Sequence, residues 1–182
     1  MNEKLMERFK TLNWRIFDDR FLKKNHGMIP NFVFPYRLEE ENDVYHEVRK
    51  ILKRESEDRI IEVNLFEVFK NIFDDEFEEL REFALEEGYE EFAFAIAPTL
   101  NDTDSLITMF RNLTADADAI LITGVGTAYP FVHISSLLKR LGAVGFKKPI
   151  VVFYPGTFDG ERLKLFDKID VVENEYQISQ IT

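Results

Sequence analysis

The chain has 182 residues, a formal charge of −11, 18 phenylalanines and no cysteine. With 45% hydrophobic residues it suits one folded domain, 1–182, with a sizeable core; the missing cysteine excludes disulfides, zinc–thiolate sites and a cysteine nucleophile. No signal-peptide core follows Met1, and no apolar run approaches the ~20 residues of a membrane helix, so a cytoplasmic protein with no membrane partner is expected.

Leu5, Phe9, Leu12 and Ile16 recur at helical spacing, extended by Trp14 and Phe17, which predicts an amphipathic helix over about 3–17. A turn follows through Asn25-His26-Gly27. Phe32-Val33-Phe34, stopped by Pro35, predicts a first strand over 31–35. Asn42-Asp43 can cap a helix that carries Val44, Val48, Ile51 and Leu52 on one face. Residues 59–63 read as a second strand, and Leu65, Phe66, Phe69, Ile72 and Phe73 as the next helix.

An acid-rich helix comes next and ends at Gly88, a residue suited to the position just past a helix. Over 90–97, Phe92, Phe94 and Ile96 alternate as in a strand, but Ala93, Ala95 and Ala97 favour helix, and helix is the expectation. Asp102 or Thr103 can cap another helix through Ile107 and Phe110. Strands are predicted at 118–123 and 149–154, with helices from about Pro130 to Leu141 and from about Gly160 to Asp167. Residues 176–181 alternate and suit a last edge strand. Apolar strands alternating with amphipathic helices predict one three-layer α/β domain with a mainly parallel sheet of four or five strands. Such a sheet is Rossmann-like, or P-loop-like without the phosphate loop.

Both late strands run into glycine-bearing loops, at Gly124-Val125-Gly126 and Pro155-Gly156, with Asp159-Gly160 just beyond. Open α/β sheets bind ligands at this carboxyl edge. The candidate rim is therefore Gly124, Gly126, Tyr129, His133, Tyr154, Gly156 and Asp159, joined by Tyr36 and Arg37 if the first strand is central. Pro155-Gly156 suits a type II turn, and Pro130 the first turn of a helix whose N-terminus would attract an anion. The dinucleotide fingerprint fails because Tyr129 occupies its third glycine position. No Gly-x-x-x-x-Gly-Lys-Ser/Thr loop occurs; Gly142, Gly145 and Lys147 come nearest but follow a helix. A tight structural turn is the simpler reading of Gly124 and Gly126.

Catalytic signals are thin. His26, His46 and His133 lack metal-ligand spacing, and Ser135 and Ser136 lie in no nucleophile elbow. Neither a catalytic residue, a metal nor a cofactor is assigned. Residues 73–91 hold ten acids against one base, Arg81, which accounts for most of the net charge. A solvated helix face is the plain reading. The sharper one is a face for a basic partner, carried by Glu79, Glu82, Glu86 and Glu87. Autonomous nucleic-acid binding is disfavoured, since phosphate neutralisation needs clustered Lys and Arg.

The string Thr123-Gly124-Val125-Gly126-x-x-Tyr129-Pro130-Phe131, then Leu137-Leu138 and Leu141, then Pro149-x-Val151-x-Phe153-Tyr154-Pro155-Gly156-x-x-Asp159-Gly160, then Leu163-x-Leu165-Phe166, resembles the BrxB family of BREX phage-defence systems. Phe32-Val33-Phe34-Pro35-Tyr36 is similar to the family's early strand. The resemblance implies a non-enzymatic accessory or scaffold protein of a multi-protein defence complex, acting through protein contacts. Its implied partners are a PglZ-type protein, a large ATPase and an adenine-specific DNA methyltransferase. The chain departs from the family pattern where an Arg and a His usually follow Tyr-Pro-Phe; those spacings fall on His133 and Ser135, and an Asn pair falls at about Lys139 and Arg140. Read from residues alone, the alternative is a small α/β module that binds a nucleotide or another anion at the glycine loops.

Overall fold

The computed structural model describes residues 2–16, 31–54, 59–101, 104–171 and 178–181. Phe17, the turn at Asn25-His26-Gly27, the cap at Asp102 or Thr103, and the first two residues of the edge strand expected over 176–181 lie outside them. The first helix, α1 (Glu3–Ile16), buries the residues that its spacing selects: Leu5, Phe9, Leu12 and Ile16. Asn2 starts it by accepting the Leu5 N–H at 2.7 Å.

Strands β1 (Asn31–Tyr36), β2 (Ile60–Asn64), β3 (Ala119–Thr123) and β4 (Ile150–Phe158) form the sheet with β7 (Ser179–Gln180). Their order is β2-β3-β4-β1-β7, and each of these pairs is parallel. The strands expected at 118–123 and 149–154 are therefore parallel neighbours, with Ile120 opposite Ile150 and Ile122 opposite Val152. The tail adds an edge strand at 179–180.

Successive strand residues point to opposite faces. Phe34, Leu121, Val151 and Phe153 meet α1 and α2 (Glu41–Leu52), which presents Val44, Val48 and Ile51. Val33, Ile120, Ile122, Ile150, Val152 and Tyr154 meet the other helices. Burial on both faces is why the strands read as unbroken apolar runs rather than as alternation. Helix α2 starts at Glu41 after a 3₁₀ turn, Leu38–Glu40, so Asn42 and Asp43 lie inside its first turn rather than capping it.

The second helical layer holds α3 (Leu65–Ile72), α4 (Phe77–Glu87), α5 (Tyr89–Asn101), α6 (Ser105–Leu113), α7 (Val125–Ala128) and α8 (Ile134–Ala143). Residues 90–97 are helical, as expected, and Phe92, Ile96 and Leu100 line the buried side. Gly88 ends α4 at φ +97° and bonds back to the Ala84 carbonyl at 3.2 Å.

Two expected helices differ. A helix does not begin at Pro130: α7 starts immediately after Gly124, a cis Tyr129–Pro130 peptide follows, and α8 begins only at Ile134. Phe131 is the reason. Its ring stacks on Phe69 at 5.3 Å and meets Phe92 edge-on at 4.9 Å, so the Tyr-Pro-Phe segment is a wedge between α3 and α5. The helix expected over 160–167 is a strand, β5 (Leu163–Leu165), antiparallel to both β4 and β6 (Ile169–Val171). Leu163 and Leu165 are buried at a spacing of two, with Lys164 between them. Pro155-Gly156 is likewise no type II turn; β4 continues through it to Phe158 and pairs Gly156 with Leu165.

Candidate functional site

The carboxyl edge of the sheet is built from the ends of β2, β3 and β4. Asn64 ends β2 and caps α3, its side-chain oxygen accepting the N–H groups of Phe66 at 3.0 Å and Glu67 at 3.3 Å. Gly124 sits against it at φ +69°, a left-handed conformation that costs an L residue a side-chain clash. A Cβ on Gly124 would overlap Asn64 Oδ1.

Gly126 is helical rather than left-handed. A Cβ there would come within 2.8 Å of the Phe166 ring and 3.1 Å of Pro155 Cγ. Phe166 itself holds φ +52° in the turn between β5 and β6, next to Asp167 at φ +59°. A left-handed Phe is rare, and here the conformation delivers the ring to Gly126. Nothing in the local sequence signals that contact, because the turn after β5 reaches Gly126 only through the tertiary fold. Gly156 is needed for a different reason: a Cβ would overlap the Lys164 carbonyl oxygen of the paired strand.

Tyr154 does not join the rim. It is fully buried, because β4 runs four residues further and leaves position 154 within the strand. It lines one small cavity together with Val125, Tyr129, Val132, His133 and Leu165. Tyr129 is half-buried and meets the exposed His133 ring edge-on at 5.4 Å. Asp159 is exposed and serves its own hairpin: its carboxylate accepts the N–H groups of Arg162 at 2.7 Å and Glu161 at 2.9 Å. Those backbone bonds, Arg162 first, hold its carboxyl below the usual carboxylate range. The predicted rim thus separates into a Tyr129–His133 pair, a buried Tyr154 and a hairpin turn.

Sequence reasoning only touched a groove of about 960 Å³ at this end, through Tyr36 and Arg37. The start of α1, the end of β1 and the Gly156-Thr157-Phe158 segment form its walls. Arg8 lies over the Phe34 ring at 4.1 Å and donates to the Pro35 carbonyl at 2.7 Å, clipping α1 to the sheet. Tyr36 donates to Glu41 at 2.6 Å. Burial, then that bond, pushes the phenol far above its usual range. Arg37 and Glu40 pair at 3.3 Å, and Glu3 and Glu7 line the wall beside Lys4 and Arg8, so the groove favours neither sign of ligand.

The acid-rich segment is a helical hairpin, α4 and α5. No α4 residue is fully buried; Phe77, Leu80 and Ala84 rest partly buried against the core. Glu79, Glu82 and Glu86 recur at i, i+3 and i+7 on the opposite side, with Glu87 exposed beside them. Arg81 is engaged with Glu78 at 2.9 Å. Phe94 is 84%, Leu85 76% and Phe83 37% exposed among these acids. The sequence marked the acids but not the outward turn of the aromatics, because both faces of α5 carry phenylalanine. Among the described residues, no group of three or more His, Asp or Glu is placed to hold a metal, and no helix is long and apolar enough to cross a membrane.

These features define a parallel α/β protein whose strand-end glycines pack against its own side chains and whose acids gather on a helical hairpin. The family model described as BREX protein BrxB matches residues 61–181, and the chain belongs to that family. It is 27% identical to a BREX protein BrxB of Escherichia coli O9:H4 (strain HS) over 86% of this chain and 81% of that protein. It is also 27% identical to a BREX protein BrxB of Bacillus cereus (strain H3081.97) over 98% of this chain and 97% of that protein. No solved structure matches significantly.

Proposed function

We propose that the protein is a non-enzymatic accessory component of a BREX phage-defence system that holds other components together through protein contacts. One observation carries this reading. The glycines of the loops where an α/β fold would cradle a nucleotide or anion have Asn64, Phe166 and Pro155 packed where their Cβ atoms would lie. The loops on this reading set backbone shape, and the exposed surfaces make the contacts. Family membership supports the pathway; the partners are the PglZ-type protein, the ATPase or the methyltransferase of the same system, in the cytoplasm.

The test is co-purification of the full chain with the other products of its defence locus, alongside an ATP-hydrolysis assay of the chain alone. The expected result is a stable complex and no turnover above a heat-inactivated control. Turnover that Gly126→Val abolishes, with no complex formed, overturns the reading.

A further inference from the structure

We infer that the hairpin of α4 (Phe77–Glu87) and α5 (Tyr89–Asn101) is a docking face for an amphipathic segment of a partner protein, with Lys or Arg flanking an apolar anchor. The inference rests on the protein-contact reading above and names the surface and the chemistry of what covers it.

Two independent features meet here. The first is apolar. Phe83 and Phe94, with Ala95, line a shallow depression of about 420 Å³ between the helices. On α5 the inward stripe is already supplied by Phe92, Ile96 and Leu100. Phe94, two residues from Phe92 on a 3.6-residue period, faces the other way and contributes nothing to that core. Large aromatics grouped in water rather than scattered mark a contact surface.

The second feature is charge. Glu90 and Glu91 form the polar wall of the same depression, and Glu79, Glu82 and Glu86 run along α4. The single base of the segment, Arg81, is paired with Glu78. Cations must therefore come from the partner. A nucleic acid is repelled by this face. An apolar side chain seated between Phe83 and Phe94 leaves its basic neighbours within reach of both helices' acids. The charges speed the encounter and set orientation, and the aromatics hold the docked state.

The experiment uses the full chain and the complex it forms with its defence-locus proteins. One variant carries Glu79→Gln, Glu82→Gln, Glu86→Gln and Glu87→Gln; the other carries Phe94→Ser. All five side chains are exposed, and circular dichroism checks that both variants fold. The charge variant should associate about tenfold more slowly at low salt, with the difference shrinking as salt rises. Phe94→Ser should leave the association rate alone and speed dissociation about tenfold. A photo-crosslinking amino acid in place of Phe94 should capture a Lys/Arg-rich amphipathic peptide of the partner, whereas one in place of the exposed Tyr45 on α2 should not. If both variants bind as wild type does, or if the captured peptide is acidic or comes from a second copy of this chain, the docking inference falls while the scaffold reading stands. If wild type forms no complex at all, both fall.

Discussion

Replacing Gly124 with alanine should destabilise the protein through two separable effects. A left-handed alanine costs about 1–2 kcal/mol in backbone and Cβ strain. The new Cβ also overlaps Asn64 Oδ1, the acceptor that takes the Phe66 and Glu67 N–H groups at the start of α3. Losing such a cap costs about 0.5–2 kcal/mol. A central sum of about 2.75 kcal/mol lowers the melting temperature by about 5–11 °C in a protein of this size. Gly145→Ala isolates the first effect: Gly145 has φ +70°, and a Cβ there meets nothing within 4 Å. Asn64→Ala isolates the second. Because both Gly124→Ala and Asn64→Ala lose the same cap, the double variant should be less destabilised than the sum of the singles, by about 0.5–2 kcal/mol. Urea unfolding followed by far-UV circular dichroism and by tryptophan fluorescence measures the cycle, and coincident transitions license the two-state free energies. Additive single effects within ~0.3 kcal/mol, or a Gly145→Ala cost equal to that of Gly124→Ala, would refute the reasoning.

Gly156→Ala should cost on the order of 1–3 kcal/mol or more, because its Cβ meets the Lys164 carbonyl of a paired strand rather than a side chain that can swing away. Hydrogen exchange reads this directly: the Phe166 N–H, bonded to the Pro155 carbonyl at 2.8 Å, should lose protection, and unchanged protection would count against the close approach. The Tyr36 phenol, buried and bonded to Glu41, has a folded-state pKa above its unfolded value. Its stabilisation is therefore fully present below the unfolded phenol pKa of about 10 and declines as pH rises further. Wild type should accordingly lose stability relative to Tyr36→Phe from about pH 10 upward, and parallel pH profiles of the two proteins would contradict the assignment.

Gly124 and Gly126 look equivalent in sequence. In the folded chain Gly124 takes the left-handed turn beside Asn64, and Gly126 is a helical residue made small by the Phe166 ring. The acids at 79, 82 and 86 share one helix face in sequence and in structure alike, since their i, i+3, i+7 spacing is a local property.

The sequence by itself determined the layers. Leu5, Phe9, Leu12 and Ile16 mark a one-sided helix, and the short apolar runs at 118–123 and 149–154, bounded by glycine turns, mark strands covered on both faces. Both patterns arise from the period of the backbone, so they are written in consecutive residues. What only the tertiary structure decided is how the chain behaves past the ends of those strands. Leu163, Leu165 and Phe166 carry spacings of two and of three at once, so helix and strand compete locally. The extension of β4 to Phe158 offered β5 a ladder to pair with, and pairing settled the contest. The same extension buried Tyr154 and brought Phe166 onto Gly126. Phe131 likewise held the chain out of helix until Ile134 by packing on Phe69 and Phe92, residues far from it in sequence. Contacts of that range have no local period to announce them, and they set which of the strand-end residues are buried and which stay exposed.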